Sequence, residues 1–249
     1  MYYCCGITDI GAAAENNEDA FLIDHMVMTS AQAECDLRPP FIIAVADGVG
    51  GEEAGECASR LALELLSRVT LNKKTDLRSE TMKIHECIKR DGMRNNTYNM
   101  QTTLCGLYVD ENNKARLINC GDSRMYRYRF GSLTQLSVDQ SLVQMLYDEG
   151  RITFAQKLSH EKRNVIFPVL GNTQEDPKPD IRLIDDGIKR GDVIMLCSDG
   201  LSDYVTKGEM EYILSLPMRL SKRLKWLVDR AIANGSPDNI TIVALYKNQ

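Results

Sequence analysis

Short apolar runs alternate along the chain with longer stretches of helical period. Residues 2–9, 20–28, 41–46, 102–109, 115–120, 124–129, 181–184, 192–197 and 239–246 are rich in Val, Ile, Leu and Tyr and bounded by Gly, Asn or Asp. Each reads as a strand. "VDENNKAR" and "RFGSLT" carry the composition of hairpin turns between them. In 53–70, Ala54, Ala58, Leu61, Leu65 and Val69 recur at steps of three and four, which predicts a helix with one apolar stripe. Segment 76–97 is a weaker helix, and 139–149, 207–215 and 218–234 are further candidates. Strands, a helix pair and strands again predict an α+β fold, with antiparallel sheets packed by outer helices rather than strict βαβ alternation. Residues 150–180 have no clean period and carry Pro168, Pro177 and Pro179. About thirty such residues inside a compact domain predict a functional loop or lid.

The 249 residues, 43% hydrophobic and 26% charged, are enough for one large core. The whole of 1–249 reads as one domain. A net charge of −5 without a basic patch argues against nucleic acid or an anionic membrane as partner. No apolar run reaches the roughly 18 residues of a membrane helix. "MYYCCGITDIG" lacks the charged start and apolar core of a signal peptide, so a cytoplasmic protein is expected. None of the eight cysteines forms a C-x-x-C pair, and most sit in apolar runs, which reads as packing. The three histidines are too scattered for a histidine metal site.

The chemistry lies where apolar runs end on acids. Asp47 follows "FIIAVA" and opens the glycine-rich turn "DGVGG"; Asp122 follows "ARLINCG", Asp199 follows "DVIMLCS", and Asp238 precedes "NITIVALY". Glu18 and Asp19 stand just before the strand of "NNEDAFLI". Singly, each of these is most simply a turn or a solvated surface. Together, carboxylates at strand ends can converge on one edge of a sheet or sandwich. Clustered carboxylates repel and are costly to bury unless cations neutralise them, so convergence predicts metal. Oxygen donors without His or Cys suit Mg²⁺ or Mn²⁺. Two such ions can share a carboxylate, acidify water and screen a phosphate. Asp47 is placed to bridge two ions, and its glycines to let the Gly48 carbonyl approach one of them.

The ordered set "TDIG…NNEDAFLI", "VADGVGG", "QTTLCGLYV", "NCGDSRMYRY", "LSVDQSLVQMLYDEGRIT", "HEKRNVIFPVLG", "GDVIMLCSDGLSDYV" and "GSPDNITIVAL" spans residues 6–245. It resembles the metal-dependent protein phosphatase 2C family, and looks most like the short bacterial branch. The resemblance implies a sandwich of two antiparallel β-sheets flanked by α-helix pairs, with the metal centre at one end. It implies one-step hydrolysis of phosphoserine and phosphothreonine in proteins by water held at Mn²⁺ or Mg²⁺, without a phosphoenzyme. Carried over residue by residue, Asp47 bridges two metals, the Gly48 carbonyl binds one, and Asp199 and Asp238 complete the other. Glu18 and Asp19 match positions that orient water, Asp122 matches a ligand of a looser third metal, and 148–176 matches a variable flap. The implied partners are phosphorylated proteins, including substrates of a Ser/Thr kinase, and a monomer is expected.

Four positions depart from the family pattern. The arginine that grips phosphate is Ala14 here, a frequent histidine is Gln140, the histidine after the double glycine is Glu52, and Pro168 stands where arginine is common. These changes bear on phosphate affinity and the flap, not on the metal ligands. The lost arginine is the only support for a different reading, a non-catalytic phosphatase-like domain that regulates a partner or binds phosphoproteins.

Overall fold

The architecture follows from which face each strand residue covers. The computed structural model describes residues 1–49 and 54–247. Strands β1 (Tyr2–Asp9), β2 (Asp19–Ile23), β3 (Met26–Met28), β4 (Gln32–Leu37) and β5 (Phe41–Val49) come first. Helices α1 (Gly55–Ser67) and α2 (Leu77–Asn95) follow. Next are β6 (Gln101–Thr102), β7 (Leu104–Val109), β8 (Ala115–Cys120), β9 (Arg124–Arg129) and β10 (Ser132–Gln135). After α3 (Leu142–Asp148), α4 (Phe154–Leu158) and β11 (Asp180–Leu183), the chain closes with β12 (Val193–Cys197), α5 (Asp199–Ser202), α6 (Lys207–Ser215), α7 (Leu220–Ala233) and β13 (Ile240–Lys247).

In β5, Phe41, Ile43 and Val45 enter one buried cluster, and Ile42, Ala44 and Ala46 enter another. In β12, Ile194 and Leu196 share the first cluster with β5, while Val193, Met195 and Cys197 enter a third. Both strands are thus covered on both faces, which is why they read as continuous apolar runs. One sheet runs β10-β9-β12-β13-β1-β4; the other runs β11-β8-β7-β5-β2-β3, with β6 paired to β5. Every ladder is antiparallel. The shared cluster fills the space between the sheets. α1 and α2 cover the outside of the β5 sheet, and α6 and α7 cover the outside of the β12 sheet. This is the expected α+β sandwich flanked by helix pairs.

Several elements differ from the expectations. Residues 20–28 are two strands, because the chain reverses at Asp24, whose φ is 56°. β4 alternates exposed Gln32, Glu34 and Asp36 with half-buried Ala33 and Cys35 at a sheet edge, so its apolar signal is weak. In "RFGSLT" the turn is confined to Phe130–Gly131, and β10 begins at Ser132. Residues 150–180 hold a short helix, α4, entered through a capping box between Thr153 and Gln156. Glu52, with Gly50, Gly51 and Glu53, lies outside the described residues.

Candidate metal centre

The inter-sheet core stops at a polar layer, and the alternation of the strands sets which residues form it. On the inner face of β1 the series Tyr2, Cys4 continues to Thr8; on β12, Ile194 and Leu196 lead to Ser198; on β13, Leu245 and Val243 lead back to Thr241. From the other sheet, Phe21 leads back to Asp19, Val45 on to Asp47, and Cys105 back to Thr103. These side chains meet. Ser198 Oγ donates to Asp19 Oδ2 (2.7 Å) and accepts from Thr241 N (3.0 Å). Thr8 and Thr241 share a hydroxyl hydrogen bond of 2.6 Å.

Asp47 lies opposite Asp19 in the β2–β5 register. Its backbone is pinned on both sides: its N–H donates to Thr103 Oγ1 (3.0 Å), and its carbonyl accepts from Thr103 N (2.8 Å) and Thr102 Oγ1 (2.9 Å). Thr103 Oγ1 also shares a 2.8 Å bond with Ser123 Oγ, next to Asp122. Gly48 has a structural reason to be glycine. A Cβ there would stand 2.3 Å from the carbonyl of Gly55, where α1 begins. The close approach expected beside Asp47 is therefore made first by the backbone of α1.

Asp238 and Glu18 are joined through Asn239. Its amide donates to the carbonyls of Ile10 (2.9 Å) and Asn16 (3.0 Å), and its Oδ1 accepts from Glu18 N (2.7 Å). Asp199 begins the single turn α5, and Gly200 packs so tightly on Asn239 that a Cβ would lie 2.0 Å from its carbonyl. A cavity of about 330 Å³ opens over Glu18, Asp47, Gly48 and Asp238, with Ala14, Glu15, Asn16 and Asn239 around it.

The electrostatics are those of an uncompensated acid cluster. Burial raises Asp47 well above the usual carboxylate range, reinforced by Asp19, Asp199, Asp122 and Asp238. Burial does the same for Asp199, with Asp122 and Asp238 the next causes. Asp19 is pushed up to about 7 by burial, against the lowering hydrogen bonds of Ser198 and Thr241. Asp122 is pushed up to about 6 by burial, although Arg124 pulls it down. Glu18 is raised by burial and then by Glu56 and Asp238. The six predicted acids, Glu18, Asp19, Asp47, Asp122, Asp199 and Asp238, thus share one field at one end of the sandwich.

Divalent cations fit this donor set. It is entirely oxygen, which suits Mn²⁺ or Mg²⁺. Asp199 Oδ1 is buried without any hydrogen-bond partner, the state of a carboxylate whose partner is an ion. Among the described residues, no three carboxylate oxygens here lie within 4.8 Å of one another; the donors stand apart and do not close around one ion.

The sequence reading missed Ser198, Thr103 and Asn239, which hold the acids, and two further acids. Glu56, in the first turn of α1, faces Glu18 and has a buried, unpartnered Oε2. Asp203 faces Asp122 and Asp199, and pairs with Arg124 at 3.2 Å. The "SDGLSD" spacing, with Asp199 and Asp203 one helical turn apart, was the available signal for the second.

The one histidine–carboxylate trio with ligand atoms within 4.8 Å among the described residues is His85, Glu86 and Asp176. It does not suit a metal. His85 Nδ1 accepts from Gly171 N (3.0 Å), so Nε2 carries the proton and donates to Asp176 Oδ1 (3.3 Å). A protonated nitrogen has no lone pair to offer.

No family model matches the chain. The chain is 33% identical to the serine/threonine protein phosphatase PstP of Mycobacterium tuberculosis over 245 residues, covering 95% of this chain and 43% of that protein. It is 30% identical to the serine/threonine phosphatase Stp of Listeria innocua over 251 residues, covering 97% of this chain and 94% of that protein. The crystal structure of M. tuberculosis PstP matches with a TM-score of 0.82 at 30% identity, covering all of both chains. A crystal structure of the catalytic domain of a serine/threonine protein phosphatase PstP in complex with two manganese ions matches with a TM-score of 0.77 at 28% identity, covering 99% of each chain. With nearly the full length of the Listeria phosphatase aligned and the same sandwich observed, the chain belongs to the metal-dependent protein phosphatase 2C family of serine/threonine phosphatases.

Proposed function

We propose that this chain hydrolyses phosphoserine and phosphothreonine in proteins at its acidic end, with Mn²⁺ or Mg²⁺ as cofactor. The observation that carries the reading is the convergence of six acids from distant parts of the chain on one polar layer, with Asp199 Oδ1 buried and unpartnered. Asp47, the Gly48 carbonyl, Asp199 and Asp238 would hold two ions, and Asp122 a third. The ions, when bound, supply positive charge for the phosphate and acidify water.

The chain's own groups do the rest. Ser198 fixes the Asp19 carboxylate through Oδ2, and Asn239 anchors the backbone that carries Glu18, so Asp19 is held ready to orient water with Glu18 beside it. Thr102 and Thr103 lock the backbone of Asp47 against the β6–β7 segment. The described residues around the 330 Å³ cavity include no Ser, Thr, Cys or His to act as a nucleophile. That supports direct attack by water over a phosphoenzyme formed on a hydroxyl, thiol or imidazole. The non-catalytic alternative has only Ala14 in its favour, and an acid cluster this costly to bury has no purpose without cations.

The same proposal takes residues 1–249 as one catalytic domain with a flap at about 148–176, acting as a cytoplasmic monomer on substrates of a Ser/Thr kinase. No described helix is long and apolar enough to cross a membrane. The test is hydrolysis of an aryl phosphate and a phosphothreonine peptide with and without Mn²⁺. A chain that binds Mn²⁺ and releases phosphate from neither overturns the reading.

A further inference from the structure

A second cavity, of about 620 Å³, lies beside the acidic end and is lined at one point by Asp122. It therefore reaches the acid cluster at Asp122. Its volume is that of a site for a sizeable ligand, not for one small side chain. Val143 and helix α4 line it, and Leu133 of β10 and Met210 of α6 line it as well.

Helix α4 is unusual. Its capping box fixes where it starts, yet none of its five residues is buried. Phe154 and Leu158 stand one turn apart, both lining the cavity and both 58% exposed. The ring of Tyr147, itself 40% exposed, meets Phe154 edge-on at 6.1 Å. Lys157 ties the helix to the cavity floor by an ion pair to Asp139 (3.4 Å). On that floor Arg124 grips Asp139 (2.9 Å) and Asp203 (3.2 Å). Two cations thus meet two carboxylates, so Arg124, Lys157, Asp139 and Asp203 are paired among themselves. Beside them stands an apolar wall of Leu133, Val143, Phe154, Leu158 and Met210.

We propose that this cleft holds the stretch of a phosphoprotein substrate beside its phosphorylated residue, seating an apolar side chain against Phe154 and Leu158. The inference rests on the phosphatase reading above. Continuity argues for this occupant: a substrate whose phosphoryl group lies among Asp47, Asp122 and Asp199 can lead its chain past Asp122 into the cleft that begins there. A small phosphate ester has no such chain and gains nothing there. Arg163, also on the lining, adds a cation for an acidic side chain further along.

The test compares the wild type with the double variant Phe154→Ala/Leu158→Ala. The substrates are 4-nitrophenyl phosphate and two phosphothreonine peptides, one with leucines flanking the phosphothreonine and one with serines. Losing apolar contacts of this size costs roughly tenfold or more in discrimination. The wild type should prefer the leucine peptide, and that preference, as a ratio of kcat/KM to the serine peptide and to the aryl phosphate, should fall about tenfold in the variant. Melting temperatures establish that both proteins are folded. Fluorescence anisotropy of the same peptides gives the comparison without turnover. Manganese-dependent cleavage of the aryl phosphate tests the phosphatase reading separately. No leucine preference in the wild type, or an equal preference in the variant, overturns the cleft assignment. So does loss of a dimer in the variant by sedimentation with the peptide ratios unchanged, which would assign the apolar pair to a second copy.

Discussion

Asp19 and Asp47 stand directly opposite each other across the β2–β5 ladder, on the face that looks into the sandwich. Paired residues in such a ladder have Cβ atoms about 4.5–5.5 Å apart, and like charges there are destabilising. Every other inner position of these two strands is apolar: Phe21, Ile23, Phe41, Ile43 and Val45. The fold alone would be more stable with apolar residues at both places. The pair makes sense as an anionic seat for cations.

Replacing Asp47 by Asn should therefore leave the metal-free protein at least as stable as the wild type, because it removes one charge from a repelling group. Turnover should fall by about 10²-fold or more. Manganese at a hundred times its Kd should stabilise the wild type by about 2.7 kcal/mol, and the variant by much less. Thermal melts with and without Mn²⁺, beside kinetics, check this. Normal turnover in the folded variant would remove Asp47 from the centre.

Ser198→Ala takes away the donor to Asp19 and the acceptor for Thr241 N. A buried backbone N–H left without a partner costs about 1–3 kcal/mol. Urea unfolding should show a loss of that size, with a fall in kcat, since Asp19 would no longer be fixed. Unchanged stability would mean that water replaces the hydroxyl at no cost.

His85 predicts a pH dependence. The side chain is fully buried between α2 and the segment after Leu170, bonded to Gly171 N–H and Asp176. Burial and Lys89 hold its pKa below the usual histidine range, while Asp176 and Glu86 act the other way. A lowered folded pKa means the stability is present above the unfolded value of about 6.5 and is lost as pH falls through the folded value. Protonation also puts a donor against the Gly171 N–H. The difference in unfolding free energy between wild type and His85→Asn should shrink from pH 7.5 to 5.5, with the acid cluster cancelling in the comparison. A difference that grows on acidification would contradict this.

Ala14 lines the cavity with Asp47, Gly48 and Asp238, and no described lining residue there is Lys or Arg. Arg163 lines the neighbouring cleft instead. An arginine at position 14 would add charge-assisted hydrogen bonds worth about 1.5–3 kcal/mol. Ala14→Arg should lower KM for an aryl phosphate by about 10–150-fold and change kcat less. An unchanged KM would mean that phosphate is gripped elsewhere.

The parts of the fold legible in the sequence are those buried on both faces. Runs such as 41–46 and 192–197 announce themselves because neither face meets water. β4 and β10 were invisible as edge strands with mixed composition, and α4 as a helix without a buried face. The acids of the site were legible because each stands at the boundary of an apolar run. Their supports were not. Ser198, Thr103 and Asn239 are ordinary polar residues in the sequence, and only the pairing of distant strands brings each against its acid. The reason for Gly48 was only half visible. A close approach was expected, but that Gly55 of α1 makes it depends on tertiary packing.

The most direct test of the account is release of inorganic phosphate from a phosphothreonine peptide as Mn²⁺ is titrated into the metal-free protein, with Asp199→Asn measured alongside. The account predicts no release without metal, release that rises and saturates with Mn²⁺ in the wild type, and little at any concentration in the variant. Release that is independent of Mn²⁺, or equal in the two proteins, would contradict it.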